Sequence, residues 1–457
     1  MISAEELEAK YKVALNFSGK ATAVVWDLGV AQALEGQIKE FSDNRAIFTG
    51  NSSGSFMAAF FSCNGLNQES AARAISAFKL LDRTQIPEKP LWHPPGAPLQ
   101  TKAKKFTVGL RVETTADYLK GFIQDKLRDQ GGMECQPRHP LIIVSANGHV
   151  LDDRRKGKLM GGAPMINPDP NTSTKIVDDE TLAVFKKNAD GSRGDLIGKA
   201  CTYFLTSELY HAYKTLPEAS LKCDLREVAT GRDLLYAVLT SVSEPTFYYP
   251  VADIDTGNSE IYDSDCWRSE FTDPYWAKLA ADRGKPFGDN APCPKVKGDG
   301  TYRYYFGGFP MTAPFHDLKR IIPGLYAFST GRTELGKTVN DVLAAYFNIQ
   351  SDKAYLYNRY WVDLETQPTA QQVADMNNYD VTADVIIGQA IEKAKSCVSA
   401  DLTSQGSCRP PNVLDRYQNE VSVLAPTNPR DTVSRSGKPM VQSRSLKDAG
   451  LTLHTGH

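Results

Sequence analysis

Along the first sixty residues the apolar positions switch between two periods. Val13 to Phe17 is a short apolar run punctuated by Gly19, which predicts a buried strand. From about Ala23 to Phe41 apolar residues recur at helical spacing, at Val25, Leu28, Gly29, Ala33, Leu34, Ile38 and Phe41. Ala46 to Thr49 predicts a second strand, the following "NSSG" a turn, and Phe56 to Ser62 the start of a buried helix. Strand, helix, strand, helix in that order favours an α/β protein whose sheet is mostly parallel and covered on both faces.

The rest of the chain alternates between such patterned segments and polar excursions. Ile86 to Gln100 is Pro-rich and reads as a loop, of the kind that walls or covers a site. An amphipathic helix is expected over residues 116–130 and a buried strand from His139 to Gly148. Residues 151–195 and 253–300 are polar and turn-rich and read as insertions. Between them, residues 231–250 predict a helix that breaks at Pro245. Residues 301–314 return to strand and turn, and residues 325–335 to a strand ending in a loop. Residues 338–349 and 382–397 have helical patterns, and the last forty or so are irregular in composition. The expected organisation is one domain over residues 1–345 with insertions near 151–195 and 253–300, then a helical and irregular extension over 346–457.

Composition narrows the function classes. The chain has 457 residues, 23% charged and 41% hydrophobic, with a net charge of −2, which gives no electrostatic footprint for nucleic acid. No apolar run approaches the roughly 18 residues that a membrane-spanning helix needs. The opening "MISAEELEAKYK" lacks the apolar core of a signal peptide. The eight cysteines form no C-x-x-C and have no His at zinc-ligand spacing, so no metal site is expected. Cys266 with Cys293, and Cys397 with Cys408, enclose polar segments. They read either as disulfides of an exported protein or as thiols of a cytoplasmic one.

The candidate chemistry lies at Gly50-Asn51-Ser52-Ser53-Gly54, a G-x-S-x-G between a predicted strand and a predicted small-residue helix. That context suits a nucleophile elbow, in which the serine hydroxyl projects from a sharp turn and the helix N-terminus faces the developing oxyanion. A plain turn serine fits the same five residues. Several aromatics accompany the motif-bearing segments, among them Trp26, Phe56, Tyr305 and Phe306, and suit either an acyl pocket or core packing.

Five segments in order then resemble patatin-like phospholipase domains. "LNFSGKATAVVWDLGVAQALE", Leu15 to Glu35, is similar to the family's L-x-x-S-G-G-G-x-R-G and following helix. The G-x-S-x-G comes next. "SVSEPTFYYP", Ser241 to Pro250, is similar to S-x-A-x-P-x-y-F-x-P, "FGGFPMTAP", Phe306 to Pro314, to D-G-G-x-x-x-N-x-P, and "FSTG", Phe328 to Gly331, to S-L-G-T-G. The resemblance runs from about Val13 to Leu335. It implies a three-layer α/β/α patatin-like fold and a Ser–Asp dyad that cleaves acyl esters, chiefly of lipids, without metal or cofactor. It implies Ser52 as nucleophile, with the oxyanion near the backbone of Gly19, Lys20 and Ala21 and the N–H of Ser53. The expected partner is a small acyl or lipid-like substrate. Peripheral membrane contact and oligomeric state stay open.

Two departures fall on the chemistry. The dyad Asp is replaced by Phe306, which cannot take a proton, and the glycine-rich loop reads Gly19-Lys20-Ala21-Thr22-Ala23-Val24. A serine hydroxyl normally requires a general base. Lys20 is one replacement, as in Ser–Lys enzymes, against the reading of a loop-capping charge. Asp317, with His316, Asp253, Asp255 and Asp299, supplies the others. Altered acyl-transfer chemistry is a second account, and a non-catalytic patatin-like binding protein a third. "GNSSGS" also resembles the signature of Ser-Ser-Lys amidases, a reading that leaves the other four segments unexplained.

Overall fold

The computed structural model describes residues 4–79, 136–150, 175–178, 183–242, 251–252, 302–306, 314–331, 361–377, 380–402, 408 and 445–454. Helix α1 (Ala4–Lys10) leads into β1 (Val13–Phe17), all five of whose residues are buried. A single 3-10 turn over Ala21–Val24 enters α2 (Val25–Gln37). The single helix expected to Phe41 is interrupted. Ile38 takes an extended conformation (φ −121°, ψ 112°), and only then does the short α3 (Lys39–Ser42) follow. The cause is tertiary: Ile38 forms a β-bridge with Leu453, and Lys39 N–H donates to Thr452 O, so the C-terminal segment claims this backbone.

Strand β2 (Ala46–Asn51) runs two residues further than its apolar pattern, and α4 (Gly54–Asn64) starts at once, leaving only Ser52 and Ser53 between them. After α5 (Gln68–Lys79) comes β3 (Leu141–Val150), which starts and ends two residues later than the strand expected from His139 to Gly148. Both β1 and β2 are apolar over most of their length because they lie inside a parallel sheet with no solvated face. β1, β2 and β3 are neighbouring parallel strands, with Asn16 opposite Thr49 and Asn51 opposite Val144.

Part of the first excursion has structure of its own. β4 (Lys175–Asp178), β5 (Ala183–Lys187) and β6 (Arg193–Lys199) form a separate three-stranded antiparallel sheet where sequence reading expected only turns. β7 (Cys201–Thr206) runs antiparallel to β3 and is followed by α6 (Ser207–Tyr213), β8 (Asp224–Val228) and α7 (Gly231–Val242). The short β9 (Val251–Ala252), β10 (Tyr302–Phe306), α8 (Pro314–Ile321), β11 (Tyr326–Ser329) and β12 (Leu364–Glu365) continue the chain. Helices α9 (Ala370–Asn377) and α10 (Ala383–Leu402) follow, and α10 packs along α2.

The protein is therefore mixed α/β. Nine strands form the main sheet, and its β12-β11-β1-β2-β3 portion is wholly parallel. One apolar core gathers Phe17, Phe48 and Phe61 as neighbouring rings beneath the elbow. No described helix is long and apolar enough to cross a membrane. Disulfides join Cys397 to Cys408, a pair the sequence left open between disulfide and thiols, and Cys201 to Cys223, a pair it did not single out; Cys63 is also disulfide-bonded. Cys266 and Cys293, the Pro-rich loop and the helices expected at 116–130 and 338–349 lie outside the described residues.

Candidate active site

Ser52 stands where β2 ends and α4 begins, at the carboxyl edge of the parallel strands, the edge at which open α/β sheets bind ligands. Its φ is +51°, a left-handed conformation uncommon for a residue with a Cβ. The surroundings enforce it. A Cβ on Gly54 would lie 2.0 Å from Phe17 O, so α4 can start against β1 only without a side chain there. A Cβ on Gly19 would lie 2.4 Å from Ser52 Cβ and 3.0 Å from its Oγ. The loop after β1 thus touches the elbow directly, while Ser52 itself keeps partial exposure.

Backbone donors are present in the turn and in the loop it touches. Ser53 caps α4, and Ser52 O accepts the N–H and the Oγ–H of Ser55. The N–H groups of Gly19, Ser53 and Gly54 have no acceptor among the described residues. A helix N-terminus of this kind favours negative charge. Lys20 differs: its N–H donates to Ser53 Oγ at 2.9 Å, which ties the loop to the elbow and spends that donor.

The side chain of Lys20 does not meet Ser52. It is fully buried, and its ammonium donates to Asp27 Oδ1 at 2.6 Å, Ser18 O at 2.9 Å and Thr330 Oγ1 at 2.9 Å. All of its donors are thereby used, one each on the β1 exit, α2 and the β11 exit. Burial pushes the Lys20 ammonium down and the Asp27 carboxyl up to about 6, and the attraction between them opposes both shifts. The lysine expected as a replacement base is thus held in a buried ion pair and makes no hydrogen bond to Ser52.

Asp317 is likewise engaged elsewhere. It is buried on α8, where Oδ2 accepts Lys222 N–H and Oδ1 pairs with His316 Nδ1 at 2.8 Å, with Arg320 3.7 Å away. His316 packs edge-on against Trp361, and its imidazole is pushed down by burial despite Asp317. Neither residue hydrogen-bonds Ser52. Asp253, Asp255 and Asp299 lie outside the described residues. Two of the candidate pocket aromatics are core: Trp26 is buried and donates to Thr366 O, and Tyr305 is buried with its hydroxyl accepting from Arg226.

Register locates the Phe306 position. Val144 of β3 pairs with Tyr203 on one side and Asn51 on the other, and Ala146 pairs with Cys201 and Phe306. Since β7 occupies one edge of β3, β2 and β10 lie end to end along the other. The backbone of Phe306 therefore follows the end of β2 along that edge, beside the turn at Ser52.

Residues missed by sequence reading complete the frame. Asp27 and Thr330 receive Lys20, and Ser241 Oγ accepts Ser52 N–H at 2.9 Å. Asn16 binds Thr49, Ser18 and Ser329 in a buried ladder across β2, β1 and β11. Asn16, Asp27, Ser241 and Thr330 all fall within family-like segments, but nothing in those segments marks their partners; pairings between distant strand ends carry no local signal. Among the described residues no cluster of ligating side chains could hold a metal. The chain matches no family model, no curated protein and no solved structure.

Proposed function

We propose that the protein is a patatin-like serine acyl hydrolase or acyltransferase, with helices on both faces of the sheet and Ser52 as nucleophile. One observation carries this reading: Ser52 at φ +51° on a strand-to-helix turn, in contact with Gly19 and beside unengaged N–H groups. Ser52 Oγ attacks an ester or thioester carbonyl carbon and loses its proton to a general base. The carbonyl oxygen takes the negative charge next to the Gly19, Ser53 and Gly54 N–H groups. Collapse breaks the bond to the alkoxide or thiolate, which leaves with the proton. Water or an acceptor hydroxyl then attacks the acyl-enzyme and regenerates Ser52. Lys20 and Asp317 are each engaged by other buried partners, which disfavours either as the base. The substrate is a small acyl or lipid-like ester, and the disulfides fit an oxidising compartment.

A second reading, a non-catalytic patatin-like binding protein, is favoured by one feature: the Lys20 N–H is spent on Ser53 Oγ. Pre-steady-state hydrolysis of a short-chain p-nitrophenyl ester separates the two. The enzyme reading expects a nitrophenol burst approaching one per chain, absent in Ser52→Ala. Folded protein with no burst and no turnover favours the binding reading.

A further inference from the structure

The Ser52 N–H can join neither the sheet, which ends at Asn51, nor the first turn of α4. Its acceptor is Ser241 Oγ at 2.9 Å, and that hydroxyl donates onward to Val144 O at 2.7 Å. Ser241 is fully buried in the last turn of α7. The preceding residue anchors the same turn, with Thr240 Oγ1 2.8 Å from Ser145 Oγ on β3. A buried hydroxyl thus spans the elbow and the adjacent strand with both of its hydrogen-bonding roles defined.

We propose that Ser241 is a positioning residue that holds the nucleophile elbow in its left-handed conformation. This inference rests on the reading of Ser52 as nucleophile. A non-glycine residue keeps a positive φ only where its surroundings over-determine it. The close approaches of Gly19 and Gly54 limit where the turn can go, but they do not orient its peptide. The bond from Ser52 N–H does, because φ is the rotation of that peptide plane relative to the Cα substituents of Ser52. Val144 O fixes the Ser241 hydroxyl rotor, so its lone pair faces the elbow and its proton faces β3. Without Ser241 Oγ the elbow peptide has no partner at this point, and the Ser52 hydroxyl loses its alignment with the neighbouring N–H groups. Misplacement of a reacting group by about 1 Å can cost on the order of 100-fold in rate.

The test is the inactivation kinetics of a fluorophosphonate, resolved into a binding constant and a maximal inactivation rate. Ser241→Ala is expected to lower the maximal rate roughly 10- to 100-fold with the binding constant unchanged. It is also expected to speed amide exchange in the peptide spanning Ser52. Ser241→Thr, which keeps the hydroxyl, is expected to recover the rate. Thr240→Val, which removes only the neighbouring anchor, is expected to match wild type. A Ser241→Ala rate equal to wild type, with wild type reactive, overturns the positioning role alone. An unreactive wild type overturns the nucleophile reading and this inference with it. If Ser241→Ala does not fold, Ser241→Thr and Ser241→Cys decide: equal rates in the two contradict the need for a hydroxyl acceptor.

Discussion

Gly19 and Ser52 approach so closely that a methyl group on Gly19 would stand 2.4 Å from Ser52 Cβ. The loop leaving β1 and the turn leaving β2 are therefore one structural unit. Gly19→Ala must push either the loop or the elbow away. Overpacking of this kind costs typically about 1–3 kcal/mol, and here the displaced atoms are those of the proposed nucleophile. The expected result is a lower melting temperature together with loss of fluorophosphonate labelling measured well below that temperature.

Lys20 and Asp27 form an ion pair with no solvent exposure of either side chain. Lys20→Met leaves Asp27 buried without its cation, a loss of roughly 3–5 kcal/mol in stability. Lys20→Met with Asp27→Leu removes both charges and is expected to regain most of that loss in urea unfolding. A base at position 20 predicts instead that labelling stays abolished in the double variant even though its stability is regained.

Burial holds the His316 imidazole below its usual value of 6.5, against the pull of Asp317 and with Lys222 and Arg320 adding to the depression. The unfolded chain therefore takes up a proton below about pH 6.5 that the folded protein resists. Stability contributed by this site is full above that value and declines as pH falls toward the lower folded pKa. His316→Asn, which can still donate toward Asp317, is expected to flatten the fall in melting temperature between about pH 6.5 and 5.

Cys201 and Cys223 are 22 residues apart in sequence and staple the start of β7 to the approach to β8. Closing a loop of this length contributes about 3 kcal/mol in the chain-entropy account. Cys201→Ala with Cys223→Ala is expected to lower stability by that order, as read by urea unfolding under non-reducing conditions.

The elements nearest the site were legible because their signals are local. The continuous apolar runs at 13–17 and 46–49, the small residues after Gly54 and the helical pattern at 382–397 all became the expected elements. The break at Ile38 was not legible, since Leu453 imposes it from the far end of the chain. Nor was the fate of Lys20: its spacing placed it on the loop that touches Ser52, but three acceptors from separate segments take up its ammonium. Ser52 itself was visible as a motif. Its positive φ, its contact with Gly19 and its bond to Ser241 arise only when strand ends distant in sequence meet.

The most direct test of the central claim is covalent labelling of the folded protein by a fluorophosphonate, mapped by peptide mass spectrometry. A single adduct on the hydroxyl of Ser52, absent from Ser52→Ala, is the predicted result. Folded protein that stays unlabelled, or an adduct on another serine that persists in Ser52→Ala, would contradict it.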